Sequence, residues 1–320
     1  MASTEPGPMP PAVFRLSGQP SAGELEMLER LVVESHWNQT TDDWQVFVNL
    51  GEVHVIRDAD GMIVASGAVL PMGPSVSADQ GTQQAADISW ISMILVTPAR
   101  RGGGYGRAVF DACLRSIQSA GRIPMLDATP AGEALYQRFG FQPLWRLTRW
   151  RRPARDGDGA RGGDRDDRRE DAPTRADGPH RPDDAHPDSL PPLLAADRLA
   201  SGFERNALLT ALAGRSSSRA LAHGEACALL RAGRTASQIG PLLAADEQAA
   251  AALLADLVAN ETTALLIDVP DGRPLIQEAL QADGFQEERR FARMVLRGPD
   301  QMPPDDRPEL IHAIAGPEFA

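Results

Sequence analysis

The chain has 320 residues, of which 42% are apolar, and a formal net charge of −12 at pH 7. This length suits two folded domains of ordinary size. The negative charge disfavours nucleic acid or an anionic membrane as a partner and favours a cationic one. No apolar run is long enough to span a bilayer and no charged-then-apolar leader is present, so we expect a cytoplasmic protein.

The cysteines and histidines predict neither a disulfide nor a metal site. Cys113 and Cys227 lie in separate predicted domains, within apolar helix or strand patterns. That placement is typical of buried thiols in a reducing compartment. The six histidines are scattered without the spacing of metal ligands. We therefore expect no metal cofactor.

The first half of the chain alternates between strand and helix patterns. Apolar residues at helical spacing, together with turn signals such as Asp58-Ala59-Asp60-Gly61, set the boundaries. In chain order they predict a strand, two helices, three strands, a helix, a strand, a helix and a final strand pair. The predicted residues are 12–16, 22–35, 41–50, 52–57, 62–70, 88–96, 108–120, 124–127 and 131–139, followed by a strand pair that ends at residue 150.

Residues 94–107 carry the clearest functional signal. Their sequence is Ile-Leu-Val-Thr-Pro-Ala-Arg-Arg-Gly-Gly-Gly-Tyr-Gly-Arg, so a strand ends at a proline and leads through two arginines into a glycine-rich loop and a helix. Glycines at a helix start let the backbone approach a ligand, and the free N–H groups there bind anions, phosphate above all. The chain has no lysine for a nucleotide-triphosphate loop. A dinucleotide-binding fingerprint, Gly-x-Gly-x-x-Gly, that starts at Gly102 would need its third glycine at position 107, which is Arg107. The loop therefore matches neither of these two phosphate-binding motifs.

Two blocks of sequence resemble the GNAT superfamily of N-acetyltransferases. Arg101-x-x-Gly104-x-Gly106, after a strand that ends in Val-x-Pro, resembles its acetyl-CoA loop. Leu135-Tyr136-x-x-x-Gly140-Phe141 resembles its second characteristic block. A bacterial two-domain subfamily, in which a degenerate GNAT-like domain follows the first, is similar in three further stretches: Trp37-Asn38-Gln39-Thr40-x-x-Asp43-Trp44, Trp90-Ile91-Ser92-Met93 and Leu126-Asp127-Ala128-Thr129-Pro130.

The resemblance implies an α/β (α+β) protein with the GNAT fold, a mixed central sheet flanked by helices, followed by a second GNAT-like domain. It implies acetyl-CoA as co-substrate, with the pantetheine arm on the backbone of the loop strand and the pyrophosphate on backbone N–H groups of the loop. Arg101 and Arg107 would add positive charge. The implied cofactor-binding residues are Leu95, Val96, Arg101, Gly102, Gly103, Gly104, Tyr105, Gly106 and Arg107.

The resemblance also implies a catalytic role for Tyr136, because a tyrosine at this point in GNAT enzymes often lies beside the sulfur of the cofactor. With an ordinary pKa of about 10, it is a candidate acid for the departing thiolate. The alternative is a tyrosine that packs on the pantetheine arm. For the base, His36, Asp43 and an ordered water stay open. Trp37 and Asn38 are candidates for binding the acceptor substrate, with a structural cap at that turn as the alternative.

Residues 190–298 repeat the order of the first domain in reduced form. Ala-Ser-Gln-Ile-Gly-Pro-Leu at 236–242 precedes an alanine- and leucine-rich helix at 246–258, a strand at 265–270 and an Ala-Asp-Gly-Phe turn at 282–285. No arginine–glycine loop lies between the proline and the helix. We therefore expect no second acetyl-CoA site there.

Composition divides the chain into four parts. Residues 151–189 hold nine arginines and eleven acidic residues, with too few large apolar side chains to offset the entropy cost of ordering. We therefore predict a GNAT acetyltransferase domain at 11–151, a disordered charged linker at 152–189, a degenerate GNAT-like accessory domain at 190–298 and a flexible tail at 299–320. The acids interleaved with the arginines argue against a nucleic-acid site in the linker.

The sequence predicts an acetyl-CoA-dependent N-acetyltransferase that moves an acetyl group to an amine of a small molecule or a protein by direct attack in a ternary complex. The alternative is a non-catalytic acyl-CoA-binding or sensing module, because binding needs the loop alone and turnover also needs a base. Neither the acceptor nor the oligomeric state follows from the sequence.

Overall fold

The computed structural model describes residues 11–74, 87–155, 189–298, 301 and 306–320. The first half contains β1 (Phe14–Arg15), α1 (Ala22–Glu34), α2 (Thr41–Leu50), β2 (Glu52–Arg57), β3 (Ile63–Pro71), β4 (Ile88–Val96), α3 (Tyr105–Ser119), β5 (Ile123–Ala128), α4 (Pro130–Gln137) and β6 (Gln142–Arg152). The second half contains α5 (Leu190–Ser201), α6 (Asn206–Ala213), β7 (Ser218–His223), β8 (Ala226–Arg231), β9 (Ser237–Leu243), α7 (Glu247–Ala259), β10 (Leu265–Pro270), α8 (Pro274–Ala282), β11 (Gln286–Val295) and β12 (Ile311–Ala313). Most of the predicted linker, 156–188, lies outside the described residues.

Capping signals explain where the first two helices begin. Ser21 accepts a hydrogen bond from the Glu24 N–H at 3.3 Å, and the Ser21 N–H donates to the Glu24 carboxylate at 2.9 Å. Thr40 and Asp43 form the same kind of capping box at the start of α2, with Thr40 N–H donating to Asp43 Oδ2 at 2.7 Å. Each box satisfies free N–H groups of the first turn. The turn between the two helices is thereby fixed, and it forms one edge of the cleft described below.

The twelve strands of the described residues form a single mixed sheet. The strand order is β1-β2-β3-β4-β5-β11-β6-β10-β9-β8-β7, with β12 paired to β9. The strand pair predicted at the end of the first domain is wrong, because residues Gln142–Arg152 form one strand of 11 residues. An alternating pattern of apolar and polar residues predicts that a segment is a strand, but it does not predict which strand lies next to it in the sheet. The neighbour here, β11, comes from the second half.

The two halves exchange their last strands. β11 is antiparallel to β5 and to β6, and β6 is antiparallel to β10 of the second half. Each half therefore supplies the strand that completes the sheet of the other. The predicted boundary near residue 151 consequently does not separate two self-contained sheets.

Two buried ion pairs bridge the exchanged strands. The Arg149 guanidinium on β6 donates to both carboxylate oxygens of Asp268 on β10, at 2.8 and 2.9 Å. Arg293 on β11 makes the same bidentate contact with Asp127 on β5, at 3.0 and 2.9 Å. Both aspartate side chains are fully buried. Removing one partner of such a pair costs about 3–5 kcal/mol, so the pairs disfavour any other register of these strands.

The helices cover both faces of the sheet. Helices α1, α2, α5 and α6 share one core that runs across both halves, whereas α3 with α4 and α7 with α8 build separate cores. Trp90 and Ile91 are adjacent on β4 yet belong to different cores, so these cores lie on opposite faces. None of the helices in the described part of the chain is long and apolar enough to cross a bilayer.

Residues 306–320 are folded, which corrects the flexible tail predicted at 299–320. Ile311, Ile314 and Phe319 are buried, and the Phe319 ring stacks on Phe47 with 5.3 Å between centroids. The Pro- and Asp-rich composition that suggested a tail ends near residue 308, and the apolar residues after it supply the burial.

We expect the halves to stay together after the chain is cut between them. A specific protease site inserted within 156–188 and cut to completion should give two fragments that co-elute on a native size-exclusion column, because β6 and β11 keep their partners. The same fragments should separate in denaturant. Separation in native buffer would contradict the strand exchange.

Candidate functional site

The sheet of the first half is split between β4 and β5. These strands pair in parallel at three positions, from Ile88↔Ile123 to Trp90↔Met125. Further along, β4 carries a bulge at Met93, whose φ is 55° and whose carbonyl accepts a hydrogen bond from Ser66 Oγ at 3.0 Å. This bulge lies in the pairing of β4 with β3 and bends β4, and the pairing of β4 with β5 extends no further than Trp90. The result is a gap between two neighbouring strands within a buried sheet.

A cleft of about 130 Å³ opens at this gap. One side is formed by residues of β4, β5 and α4, and the other by the α1–α2 turn, the exchanged strands and the segment 311–320. The lining residues are Trp37, Gln39, Ile91, Ser92, Met93, Ile94, Leu126, Asp127, Thr129, Tyr136, Arg149, Arg289, Phe291, Pro317 and Glu318. The cleft therefore belongs to the first half but is walled in part by the second.

The glycine loop leads into a helix whose first turn has no side-chain cap. Gly104 is the N-cap of α3, with φ of 79° and no side chain to accept from the first turn. Ala108 N–H, at 2.9 Å from the Gly104 carbonyl, makes the first helical hydrogen bond, which leaves the preceding N–H groups pointing out of the helix end. A Cβ placed at Gly102 or Gly104 would meet nothing within 4 Å. Glycine is needed there for its positive φ, and the space in front of the helix is open.

The other loop residues have defined positions. Arg101 Nε donates to the Val96 carbonyl at 3.1 Å. Tyr105 packs against the small core around Val109. The side chain of Arg107 is 70% exposed and lies 3.7 Å from Asp111. A Cβ on Gly103 would press on the Tyr105 ring at 3.2 Å, whereas one on Gly106 would make ordinary contact with Val96. Leu95 is buried in the shared core.

Tyr136 lies on the cleft wall, beside the β4–β5 gap. Its ring packs on Phe110, with 4.8 Å between centroids, and on Phe141, with 6.1 Å. Burial raises the pKa of Tyr136 to about 12. The phenol therefore stays protonated throughout the physiological pH range.

The contacts of Asn38 favour the structural alternative to its prediction as an acceptor residue. Its Nδ2 donates to the Ala236 carbonyl at 2.9 Å, and its Oδ1 accepts from the Thr235 and Ala236 N–H groups at 2.8 and 3.0 Å. The side chain is buried and lies outside the cleft lining. It ties the α1–α2 turn to the second half, while its neighbour Trp37 does line the cleft.

Two candidates for the base lie away from the cleft. Asp43 caps α2 and pairs with Arg215 at 2.8 Å and with Arg231 at 3.5 Å. His36 is exposed at the end of α1 and is absent from the cleft lining. Asp127 does line the cleft, and burial raises its pKa while the Arg293 guanidinium opposes that rise. Glu318 also lines it, bound to Arg231 at 2.7 Å.

The equivalent gap in the second half is filled by the chain itself. β9 and β10 pair in parallel at three positions, and β12 then takes the place beside β9. The Ile314 N–H donates to the Asp268 carbonyl at 3.0 Å, so the segment spans from one strand to the other. A Cβ on Gly240 would lie 1.9 Å from the Ile314 carbonyl oxygen, so the fit leaves no free space.

The helix that follows β9 is also closed to anions. Asp246 caps α7, its Oδ1 accepting from the Ala249 N–H at 2.8 Å. A carboxylate at this position satisfies the helix end and repels a phosphate. The filled gap and the acidic cap both agree with the expectation that the second half has no acetyl-CoA site.

Across the described ranges, no group of three or more His, Cys, Asp or Glu side chains could hold a metal ion.

Family models give the class of protein. A model for an acetyltransferase (GNAT) domain matches residues 49–143, and a second GNAT acetyltransferase domain model matches residues 193–311. The chain belongs to the GNAT superfamily of acetyltransferases and is a two-domain member of it. The predicted family is thereby confirmed.

Solved structures confirm the predicted fold. A putative acetyltransferase from Pyrococcus horikoshii aligns with a TM-score of 0.69 at 17% identity and covers 96% of each chain. A tandem GNAT protein from the clavulanic acid biosynthesis pathway aligns with a TM-score of 0.56 at 16% identity, over 91% of this chain and 100% of that one. A GCN5-related N-acetyltransferase from Sphaerobacter thermophilus gives 0.51 at 12% identity, over 91% and 98%. At such identities the likeness concerns the fold alone. No curated protein sequence matches the chain.

Proposed function

We propose that the chain is an acetyl-CoA-dependent N-acetyltransferase with one cofactor site, located in the first half. The observation that supports this most is the juxtaposition of a split between two parallel strands with an uncapped, glycine-started helix. The corresponding split in the second half is filled and its helix is acid-capped. GNAT membership of both halves agrees with this proposal.

The residues present fit an acyl-CoA. The open start of α3 presents N–H groups and the positive end of the helix dipole to a pyrophosphate, with no side chain in front of Gly102 or Gly104. Arg107 is exposed at the same helix end and would add positive charge. The backbone of Leu95 and Val96, next to the gap, is the proposed contact for the pantetheine arm. When bound, the group supplies an activated acetyl carbon as a thioester.

Tyr136 is the proposed proton donor of the transfer. An unprotonated acceptor amine would add to the thioester carbonyl to form the C–N bond, and the C–S bond would then break. Tyr136 would donate a proton to the sulfur that leaves. Asp43 and His36 lie away from the cleft. Of the three candidate bases, an ordered water therefore remains to receive the proton of the amine. Backbone N–H groups of β4 beside the gap are the proposed donors to the negative charge that would develop on the carbonyl oxygen.

The rival function is a non-catalytic acyl-CoA-binding or sensing module. It shares the cofactor site and differs in lacking turnover. Steady-state thiol release, measured with acetyl-CoA and a panel of primary amines, separates the two. Amine-dependent thiol release favours the transferase, and its absence with every amine, at saturating acetyl-CoA binding, favours the module.

A charge placed at the start of α3 should weaken acetyl-CoA binding. Gly104→Asp puts a carboxylate where the pyrophosphate is proposed to lie, and Gly104→Asn is a control of equal shape that carries no charge and shares any strain of the positive φ. Calorimetry should give a Kd at least tenfold higher for the Asp variant than for the Asn variant, about 1.4 kcal/mol. Equal Kd values in two folded variants would remove the loop from the site.

Loss of the phenol should slow turnover and spare cofactor binding. Tyr136→Phe keeps the ring that packs on Phe110 and removes the proton donor, so kcat should fall by about 10²–10⁴-fold with the Kd for acetyl-CoA nearly unchanged. Thiol-release kinetics and calorimetry measure the two quantities. Wild-type kcat in the variant would leave Tyr136 with a packing role.

A further inference from the structure

The charged residues of the cleft are almost all neutralised by partners. Asp127 is bound by Arg293, and Arg149 is bound by Asp268. Glu318 is bound by Arg231 at 2.7 Å. Because each pair carries no net charge, these residues contribute little net potential to the cleft.

Arg289 is different from its neighbours. It lies on β11 opposite Arg149, lines the cleft and is exposed. Within the described ranges its side chain makes no hydrogen bond or ion pair. On either side of it, Glu288 pairs with Arg151 and Arg290 pairs with Glu287. The wall of the cleft thus carries one uncompensated positive charge.

Two buried polar atoms in the same cleft also lack partners. Gln39 is 5% exposed and Ser92 is 9% exposed, and both line the cleft. Gln39 Oε1 and Ser92 Oγ are buried without a hydrogen-bond partner in the described part of the protein. Buried polar atoms are almost always hydrogen-bonded in a working protein. Gln39 Oε1 and Ser92 Oγ are therefore free to accept hydrogen bonds from a ligand in the cleft.

We propose that the acceptor is a small amine that carries a carboxylate, with Arg289 binding the carboxylate and Gln39 and Ser92 accepting hydrogen bonds from the amine. One free guanidinium matches one monovalent carboxylate and its two oxygens. A phosphate monoester, with a charge of roughly −1.5 to −2 at pH 7, would leave negative charge uncompensated. This proposal rests on the proposed function and selects a small molecule over a protein amino group as acceptor.

The test compares acceptors that differ by one carboxylate: glycine with methylamine, alanine with ethylamine, and phenylalanine with 2-phenylethylamine. Arg289→Gln should lower kcat/KM for the amino acids by about tenfold or more, as expected for loss of a charge-assisted bidentate contact, and leave the plain amines nearly unchanged. Comparing each acceptor between variant and wild type cancels the different basicities of the amines. Arg290→Gln is the matched control, since Arg290 lies on the same strand, 71% exposed, outside the cleft lining.

Several outcomes would overturn the carboxylate proposal. Amino acids and plain amines affected equally by Arg289→Gln, or neither affected, would contradict it while leaving the transferase function intact. Phosphoethanolamine used better than every amino acid would replace the carboxylate by a phosphate. Calorimetric titration of phenylalanine into the full chain with acetyl-CoA adds a readout that needs no turnover. Binding that is lost in Arg289→Gln supports the proposal, and no binding to the wild type contradicts it.

Discussion

The reciprocal pairing of β6 and β11 at the middle of the sheet is the constraint on which the rest of the structure depends. Each strand is hydrogen-bonded on both sides, and each completes the sheet of the half from which it does not come. The bidentate pairs Arg149–Asp268 and Arg293–Asp127 lie on these strands. Arg289 and Phe291, which line the cleft, lie on β11. The cleft is therefore a product of the exchange, because the first half alone would keep its glycine loop and lose a wall.

The two halves differ at the gap between their two parallel strands and at the start of the helix that follows. In the first half β4 and β5 separate and leave a cleft, and α3 begins at a bare glycine. In the second half β12 and Ile314 bridge the corresponding strands, and Asp246 caps α7. The segment that fills the second gap continues to Pro317 and Glu318, which line the cleft of the first half. The second half thus forms part of the wall of a cleft whose proposed cofactor residues lie in the first.

Local signals in the sequence predict the fold and the loop, and long-range contacts account for what they miss. The glycine loop at 101–107 and the Leu-Tyr-x-x-x-Gly-Phe block are continuous in sequence, so their structure follows from neighbouring residues. β6 pairs with β11, which lies more than a hundred residues away in the sequence. An alternating pattern of apolar residues cannot specify that partner. The contacts of Asn38 cannot be predicted from its neighbours in sequence, because its partners Thr235 and Ala236 lie in the other half. Arg289 and Glu318 belong to no local sequence motif. They line the cleft because the strand exchange and the segment 311–320 place them there.

The number of acetyl-CoA molecules bound per chain tests this account most directly. The split β4–β5 strands, the bare start of α3 and the filled second gap together predict a single site. Calorimetric titration of the full chain with acetyl-CoA, with protein concentration fixed by amino-acid analysis, should give a stoichiometry of one. A stoichiometry of two would show that the segment 311–314 does not close the second half, and no binding would contradict the assignment of the glycine loop.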